Sequence, residues 1–272
     1  MAHRPTILGR SHAISAGHYL AAEIGFAVLQ DGGNAFDSAI AACIALGVVQ
    51  SDIVSIGGVL PMILRLGDSG KVISVSGAGT WPRAASREFF EAEFGDQIPL
   101  GILRTVVPAA PDAWFTVLEL FGTRSFAELA APSIDLARNG FPMYPLMSEN
   151  IGRWADQLRA WPSSEAMFLP NGAPPAVGSI FVQADLADTL QFIADEETSA
   201  SAKGGREAGL RAARHAFYKG DIARRIIDFQ QSNGGLLQAA DLSEYQTRLE
   251  EPVRIETMGR TVYTCGPWTQ GP

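Results

Sequence analysis

Chemistry in a chain like this is sought first among its histidines, cysteines, carboxylates and glycine-rich turns. There are four histidines, His3, His12, His18 and His215, and none stands at a spacing that would bring two imidazoles onto one metal ion. No His-Glu-x-x-His occurs, so each histidine is expected to be exposed or satisfied within the fold. Gly77-Ala78-Gly79 follows an apolar run as a dinucleotide fingerprint would, but Pro82 stands where the third glycine belongs. Gly67-Asp68-Ser69-Gly70-Lys71 is too short to cradle a phosphate and leads into a strand pattern rather than a helix. No Gly-x-Ser-x-Gly nucleophile elbow is present. A nucleotide-binding protein is therefore supported only by incomplete glycine motifs. Asp37 falls in the first turn of a helix pattern, where a carboxylate suits the positive end of the dipole, and reads as that charge rather than as a catalytic acid. Cys43 lies in an apolar run and reads as a buried, inert thiol, with a Cys43–Cys265 bridge as the alternative. These residues compose no complete catalytic set, and they imply no metal and no cofactor.

The elements that would position any site can be read from periodicity. Leu20, Ile24, Ala27 and Val28 mark an amphipathic helix over 15–31, stopped by Asp31-Gly32-Gly33. Asn34 offers an N-cap oxygen to a second helix, about Ala35 to Val48. That helix is apolar nearly all round, the mark of a buried core helix. Pro61–Leu66 and Lys71–Ser76 read as two strands joined by a loop of hairpin length, and Gly77–Pro82 as an irregular loop after them. Pro111-Asp112 opens a helix to Phe121, and Ser125-Phe126-Ala127-Glu128 is a capping box for a helix ending at Asn139-Gly140. Further helices are expected near 148–160, 184–197 and 220–232. The polar stretch from Glu196 to Arg214, with Gly204-Gly205 inside it, reads as a surface insertion. Glu251–Ile255 and Arg260–Thr264 read as a terminal strand pair. Helices, a hairpin, more helices and then strands suggest mixed α/β layers rather than regular βαβ units.

Composition narrows the classes. The formal charge is 21 − 29 = −8, without the basic footprint of a nucleic-acid binder or of a protein drawn to anionic membranes. A 47% hydrophobic content over 272 residues is enough for a sizeable core. Met1-Ala2-His3-Arg4-Pro5 has no apolar stretch behind it, and no apolar run approaches the roughly 20 residues of a membrane span. A cytoplasmic protein is expected, folded as a single domain over residues 1–272.

The stretch Leu29-Gln30-Asp31-Gly32-Gly33-Asn34-Ala35-Phe36-Asp37-Ser38-Ala39-Ile40-Ala41 resembles the signature of the gamma-glutamyltranspeptidase family. The resemblance continues in order through Ser55-Ile56-Gly57-Gly58, Phe121-Gly122-Thr123, Ala137-Arg138-Asn139-Gly140-Phe141 and Phe217-Tyr218-Lys219-Gly220. Asn233-Gly234-Gly235-Leu236, Asp241-Leu242-Ser243-Glu244-Tyr245 and Glu251-Pro252-Val253 complete it, so that it covers about residues 11 to 272.

The resemblance implies the α+β class, as a four-layer αββα sandwich of the N-terminal-nucleophile hydrolase type. Such enzymes are made as one precursor that cuts itself into a large and a small subunit. The new N-terminal Thr of the small subunit is the nucleophile. Its α-amine, with a pKa near 8, serves as the base that a hydroxyl otherwise lacks at neutral pH. Thr269 lies in a stretch matching an earlier Pro/Ser/Gly-rich segment of the family, so this chain corresponds to the large-subunit portion and no catalytic residue is expected within it. Its expected partners are the small catalytic subunit of the same precursor and a small-molecule amide substrate, with no nucleic acid and no membrane. The pair could assemble further as a dimer of heterodimers.

Glutamyl-specific members carry an Arg in the loop after the second strand, where a guanidinium fork pairs with the substrate α-carboxylate. With Pro82 aligned to the family's proline, Ala78 takes that place. The loop Ser76-Gly77-Ala78-Gly79-Thr80-Trp81 is more similar to the branch that includes oxamate amidohydrolases and some acylases. Ser76, Trp81 and Arg83 are the residues through which this loop is expected to touch substrate. For Trp81 the alternative is a packing anchor, and for Arg83 a solvated ion pair. The alternative to an enzyme is a catalytically silent scaffold.

Overall fold

The computed structural model describes residues 6–95 and 97–272. His3 and the remainder of the Met1–Pro5 stretch lie outside the described residues. The elements begin with α1 (Tyr19–Gln30), α2 (Ala35–Val49), the hairpin strands β1 (Met62–Arg65) and β2 (Val72–Val75), then α3 (Arg87–Phe94), α4 (Ala110–Phe121) and α5 (Phe126–Asn139). There follow β3 (Phe141–Pro142), α6 (Pro145–Arg153), α7 (Ala155–Arg159), α8 (Pro162–Phe168), β4 (Ile180–Phe181) and α9 (Ala184–Tyr218). The last are α10 (Asp221–Ser232), α11 (Ala239–Ser243), β5 (Leu249–Glu250), β6 (Val253–Thr257) and β7 (Arg260–Thr264). They divide into two compact units, Met1–Ser55 with Phe121–Ala194, and Ile56–Leu120 with Asp195–Pro272.

The first unit is helical around α2, which packs on α1 and on α5. Ile40, Ala41, Ile44, Ala45, Val48 and Val49 of α2 are fully buried, as its unbroken apolar surface requires. Gly25 lets α1 lie close to α2. A Cβ there would stand 2.3 Å from Ile14 Cδ1 and 3.0 Å from the Ser38 carbonyl oxygen. The Ser38 hydroxyl uses that proximity to donate to the Gly25 carbonyl at 2.7 Å. Residues 15–18, expected to be helical, precede the helix instead. His18 is extended (φ −131°, ψ 142°), and its Nδ1 caps α1 by accepting from the Leu20 N–H. An imidazole in that role needs the residue outside the helix. α5 ends at Gly140, whose φ of +84° admits glycine with little strain, and β3 then pairs with β4 through Phe141 and Phe181.

The second unit carries the antiparallel sheet β1-β2-β5, with Met62 opposite Val75 and Val75 opposite Leu249. The same unit buries the α4 side chains Trp114, Phe115 and Leu118. β6 and β7 form a separate two-stranded ribbon. Its turn at Met258-Gly259 has both φ values positive, +50° and +70°, as a primed hairpin turn requires. The ribbon starts two residues later than expected because Pro252 stays outside it.

The largest departure from the sequence reading lies between Glu196 and Arg214. This is no surface insertion: it belongs to α9, which is interrupted only at Gly205 (φ +76°). The stretch is polar but composed mainly of helix formers. It also has a buried side, which carries Leu210 and Ala213 and continues through Ala216, Phe217 and Tyr218. The two glycines had masked that periodicity.

Candidate functional site

The loop that follows β2 lies wholly in the second unit, and its path is dictated by backbone crowding. The Leu60 N–H donates to the Gly77 carbonyl at 2.6 Å. A Cβ on Gly77 would stand 2.1 Å from the Leu60 carbonyl oxygen. Gly79 has φ +73°, and a Cβ there would stand 2.3 Å from the Val107 carbonyl oxygen. Two of the loop's glycines are thus needed for close approach, and the second also for its left-handed conformation. Next to it the Val107 N–H donates to the Thr80 carbonyl at 2.8 Å.

A second tie comes from the short helix α11 and the residues just after it. Asp241 accepts the Gln238 N–H at 2.9 Å through Oδ2, closing a capping box, and the Arg83 N–H at 3.1 Å through Oδ1. Glu244 Oε2 lies 2.5 Å from Arg83 Nη2. The Tyr245 hydroxyl accepts the Gly79 N–H at 3.3 Å and donates to the Ser76 carbonyl at 3.4 Å. Burial pushes the pKa of Tyr245 up, so the hydroxyl keeps the proton this second bond uses. One turn of chain therefore holds the loop at its beginning, middle and end. The Asp-Leu-Ser-Glu-Tyr motif, noted in the sequence only as part of a series, has this as its physical role.

Below this contact lies a buried polar cluster. The Tyr218 hydroxyl donates to the Pro108 carbonyl at 2.7 Å and accepts the Asp112 N–H at 3.0 Å. Asp112 accepts the Thr247 N–H at 2.7 Å through Oδ2, and its Oδ1 lies 3.2 Å from Arg214 Nε in an ion pair. Arg214 also donates to the Thr116 hydroxyl at 2.9 Å. The rings of Tyr218 and Tyr245 stack with centroids 6.1 Å apart. Burial, and then the nearby Asp112 charge, pushes the Tyr218 pKa well up, so it stays neutral. The cluster links α4, α9 and the strand approach at 247–248, and the Tyr218–Tyr245 stack joins it to the residue that holds the start and middle of the loop.

Each of the three residues expected at substrate has a definite place. Ser76 is buried, and its hydroxyl accepts the Arg248 N–H at 3.0 Å while its own N–H donates to the Arg248 carbonyl at 2.8 Å. Its side chain thus extends the β2–β5 pairing. Trp81 is 46% exposed and meets the edge of Phe90 with ring centroids 6.1 Å apart. It lines a cavity of about 370 Å³ with Ala85, Phe90, Glu91 and Ile98. Arg83 points outward, its guanidinium paired with Glu244. Hydrogen bonding to that carboxylate raises the pKa of Arg83 and lowers that of Glu244. Ala78, partly exposed between the two crowded glycines, presents only a methyl group. Among the described residues no cluster of three or more His, Cys, Asp or Glu could hold a metal.

The signature stretch of the first unit does different work. Asn34 Oδ1 accepts the N–H groups of Phe36 and Asp37, and Asp37 Oδ2 accepts the Asn34 N–H at 2.9 Å. Asp37 also accepts the Thr123 N–H at 2.8 Å, the Thr123 hydroxyl at 2.6 Å and the Arg124 N–H at 3.1 Å. Asn34 Nδ2 donates to the Phe121 carbonyl at 2.7 Å. Burial alone would raise the pKa of Asp37, but these donors outweigh it and hold the carboxylate below its ordinary range. The expectation of a helix-terminal charge understated this residue, because the turn at 121–124 is far away in sequence. In the same unit Cys43 is a free thiol whose pKa burial pushes up to about 11. Cys265 is also free.

A family model described as Gamma-glutamyltranspeptidase matches residues 21–272. The chain belongs to the gamma-glutamyltranspeptidase family. It is 30% identical over 268 residues to the glutathione hydrolase-like YwrD proenzyme of Bacillus subtilis (strain 168), an alignment covering 98% of this chain and 48% of that protein. It is 35% identical over 257 residues to the acylase ACY 1 proenzyme of Pseudomonas sp. (strain SE83), covering 90% and 43%. Among solved structures, Helicobacter pylori gamma-glutamyltranspeptidase matches with a TM-score of 0.87 at 27% identity, over 98% of this chain and 73% of that one. The α+β fold expected from the family resemblance, of the N-terminal-nucleophile hydrolase type, is therefore the fold of this chain. The chain spans about half the length of the curated relatives it matches.

Proposed function

We propose that this chain is the large-subunit portion of a self-processing enzyme that cleaves an amide bond of a small acyl substrate. The observation that carries the reading is the family match along residues 21–272 at about half the length of relatives named as proenzymes. In this reading the nucleophile is an N-terminal Thr freed by cleavage of a longer precursor. Its hydroxyl oxygen attacks the amide carbonyl carbon while its α-amine takes the hydroxyl proton. The carbon–nitrogen bond then breaks, the amine leaves with that proton, and water hydrolyses the acyl ester to free acid and enzyme. The role of this chain is to shape the acyl pocket with the loop from Ser76 to Arg83.

The acyl group is not γ-glutamyl in this proposal. A guanidinium at position 78 would form a charge-assisted fork on the substrate α-carboxylate, and losing such a pair in a desolvated site costs about 2–5 kcal/mol. Ala78 offers no such group. An oxamate-type amidohydrolase or an acylase fits the loop better than a transferase acting on glutathione.

The test is to express the complete reading frame and follow it by intact mass spectrometry, then to assay γ-glutamyl, oxamate and neutral N-acyl amides. Self-cleavage to a Thr-led fragment with turnover of non-glutamyl amides is the expected result. A protein that stays intact and hydrolyses none of them would be a silent scaffold, and the proposal would fail. Preferential γ-glutamyl turnover would overturn the assignment of the acyl group alone.

A further inference from the structure

We infer that Glu244 is a specificity-determining residue: by occupying the Arg83 guanidinium it turns the loop against acyl groups that carry a second carboxylate. The inference rests on the amide-cleaving reading above and deepens it by naming what limits the substrate's charge.

The geometry comes from α11 and its C-terminal edge. Asp241 takes the backbone N–H of Arg83, and Glu244 takes its guanidinium at 2.5 Å. Asp241 cannot swing away without opening the capping box it closes with Gln238. Formal charges on this contact are +1 for Arg83 and −2 for the two carboxylates, which sum to −1. A carboxylate arriving at Arg83 competes with Glu244, which holds Nη2, and meets two negative groups facing one positive one. Ala78 supplies no second cation in the loop. A neutral acyl group faces no such contest, so of the two readings above the pair favours an acylase over the oxamate type, whose acyl group itself carries a carboxylate. The pair is accessible, with 63% of the Arg83 and 59% of the Glu244 side chain exposed. Solvent screening therefore bounds the effect to about two- to fivefold, the range an exposed ion pair supports.

The experiment uses the complete protein and a matched pair of substrates, N-glutaryl and N-butyryl p-nitroanilide. The readout is the ratio of kcat/KM for the acidic over the neutral amide. Glu244→Gln is expected to raise that ratio about two- to fivefold, mainly through a lower KM for the glutaryl substrate. The gain should shrink as salt is added, because the charges are exposed. It should vanish in the double variant Glu244→Gln with Arg83→Ala, and Glu244→Asp should stay near the wild-type ratio. An unchanged ratio in Glu244→Gln, or a rise that survives in the double variant, would overturn the inference while leaving amide cleavage standing. A wild-type protein that cleaves neither substrate would instead overturn the amide-cleaving reading and this inference with it.

Discussion

Two turns in this chain are each fastened by an aspartate in the third position of a helix, and they serve opposite ends. At the start of α2, Asp37 is entirely buried and spends its oxygens on Asn34, Thr123 and Arg124. Nothing at that turn is left over for a ligand. At the start of α11, Asp241 has the same capping geometry, but its second oxygen goes to the backbone of Arg83. The side chains of the loop it holds, Trp81 and Arg83, then face outward. The same local device closes a core in one unit and presents a surface in the other. What differs is where the second carboxylate oxygen finds its donor.

That contrast can be broken most severely at Asp37. Replacing it by Ala strips several buried N–H groups and a hydroxyl of their acceptor at once, and about 3–5 kcal/mol of stability should be lost in urea denaturation of the full-length protein. A loss under about 1 kcal/mol would show that the turn at 121–124 holds without the carboxylate. Acid should act in the same direction. The native pKa of Asp37 lies below its unfolded value, so its stabilisation is complete above the unfolded pKa and declines as pH falls through the native one. Comparing acid titrations of the wild type and Asp37→Asn isolates that contribution.

The loop itself is probed by Gly79→Ala. A Cβ there stands 2.3 Å from the Val107 carbonyl oxygen at a φ of +73°, and the expected cost is about 2–3 kcal/mol. Unlike the change at Asp37, it should also depress amide turnover well beyond what the lost stability explains. Parallel losses would remove the distinction between a turn that supports the core and a turn that presents a site. Tyr245→Phe is the mildest test. It removes two long hydrogen bonds, at 3.3 and 3.4 Å, and should lower stability by about 1 kcal/mol. A change in KM with little change in kcat would place Tyr245 as a residue that positions the loop.

How much could be read in advance follows the range of the interactions. The N-cap at Asn34, the capping box at Ser125, the buried character of α2 and the hairpin before Ser76 are local patterns, written within a few residues, and they stood out. The long α9 did not, because Gly204-Gly205 breaks the periodicity while the packing of Leu210 and Ala213 continues the helix. Ser76, Trp81 and Arg83 could be named from the loop's place in the family series. Their separate fates, one in the sheet edge, one at a cavity and one in an ion pair, depend on Arg248, Phe90 and Glu244. No spacing rule connects those residues.

Sequence by itself determined the family and the starts of α2 and α5, because caps, turns and ordered motifs are encoded by neighbours along the chain. Only the tertiary structure decided that Asp37 belongs to the core and that Arg83 is already paired. Those outcomes rest on donors and acceptors 86 and 161 residues away, and a hydrogen bond of that span exists only once the chain has folded.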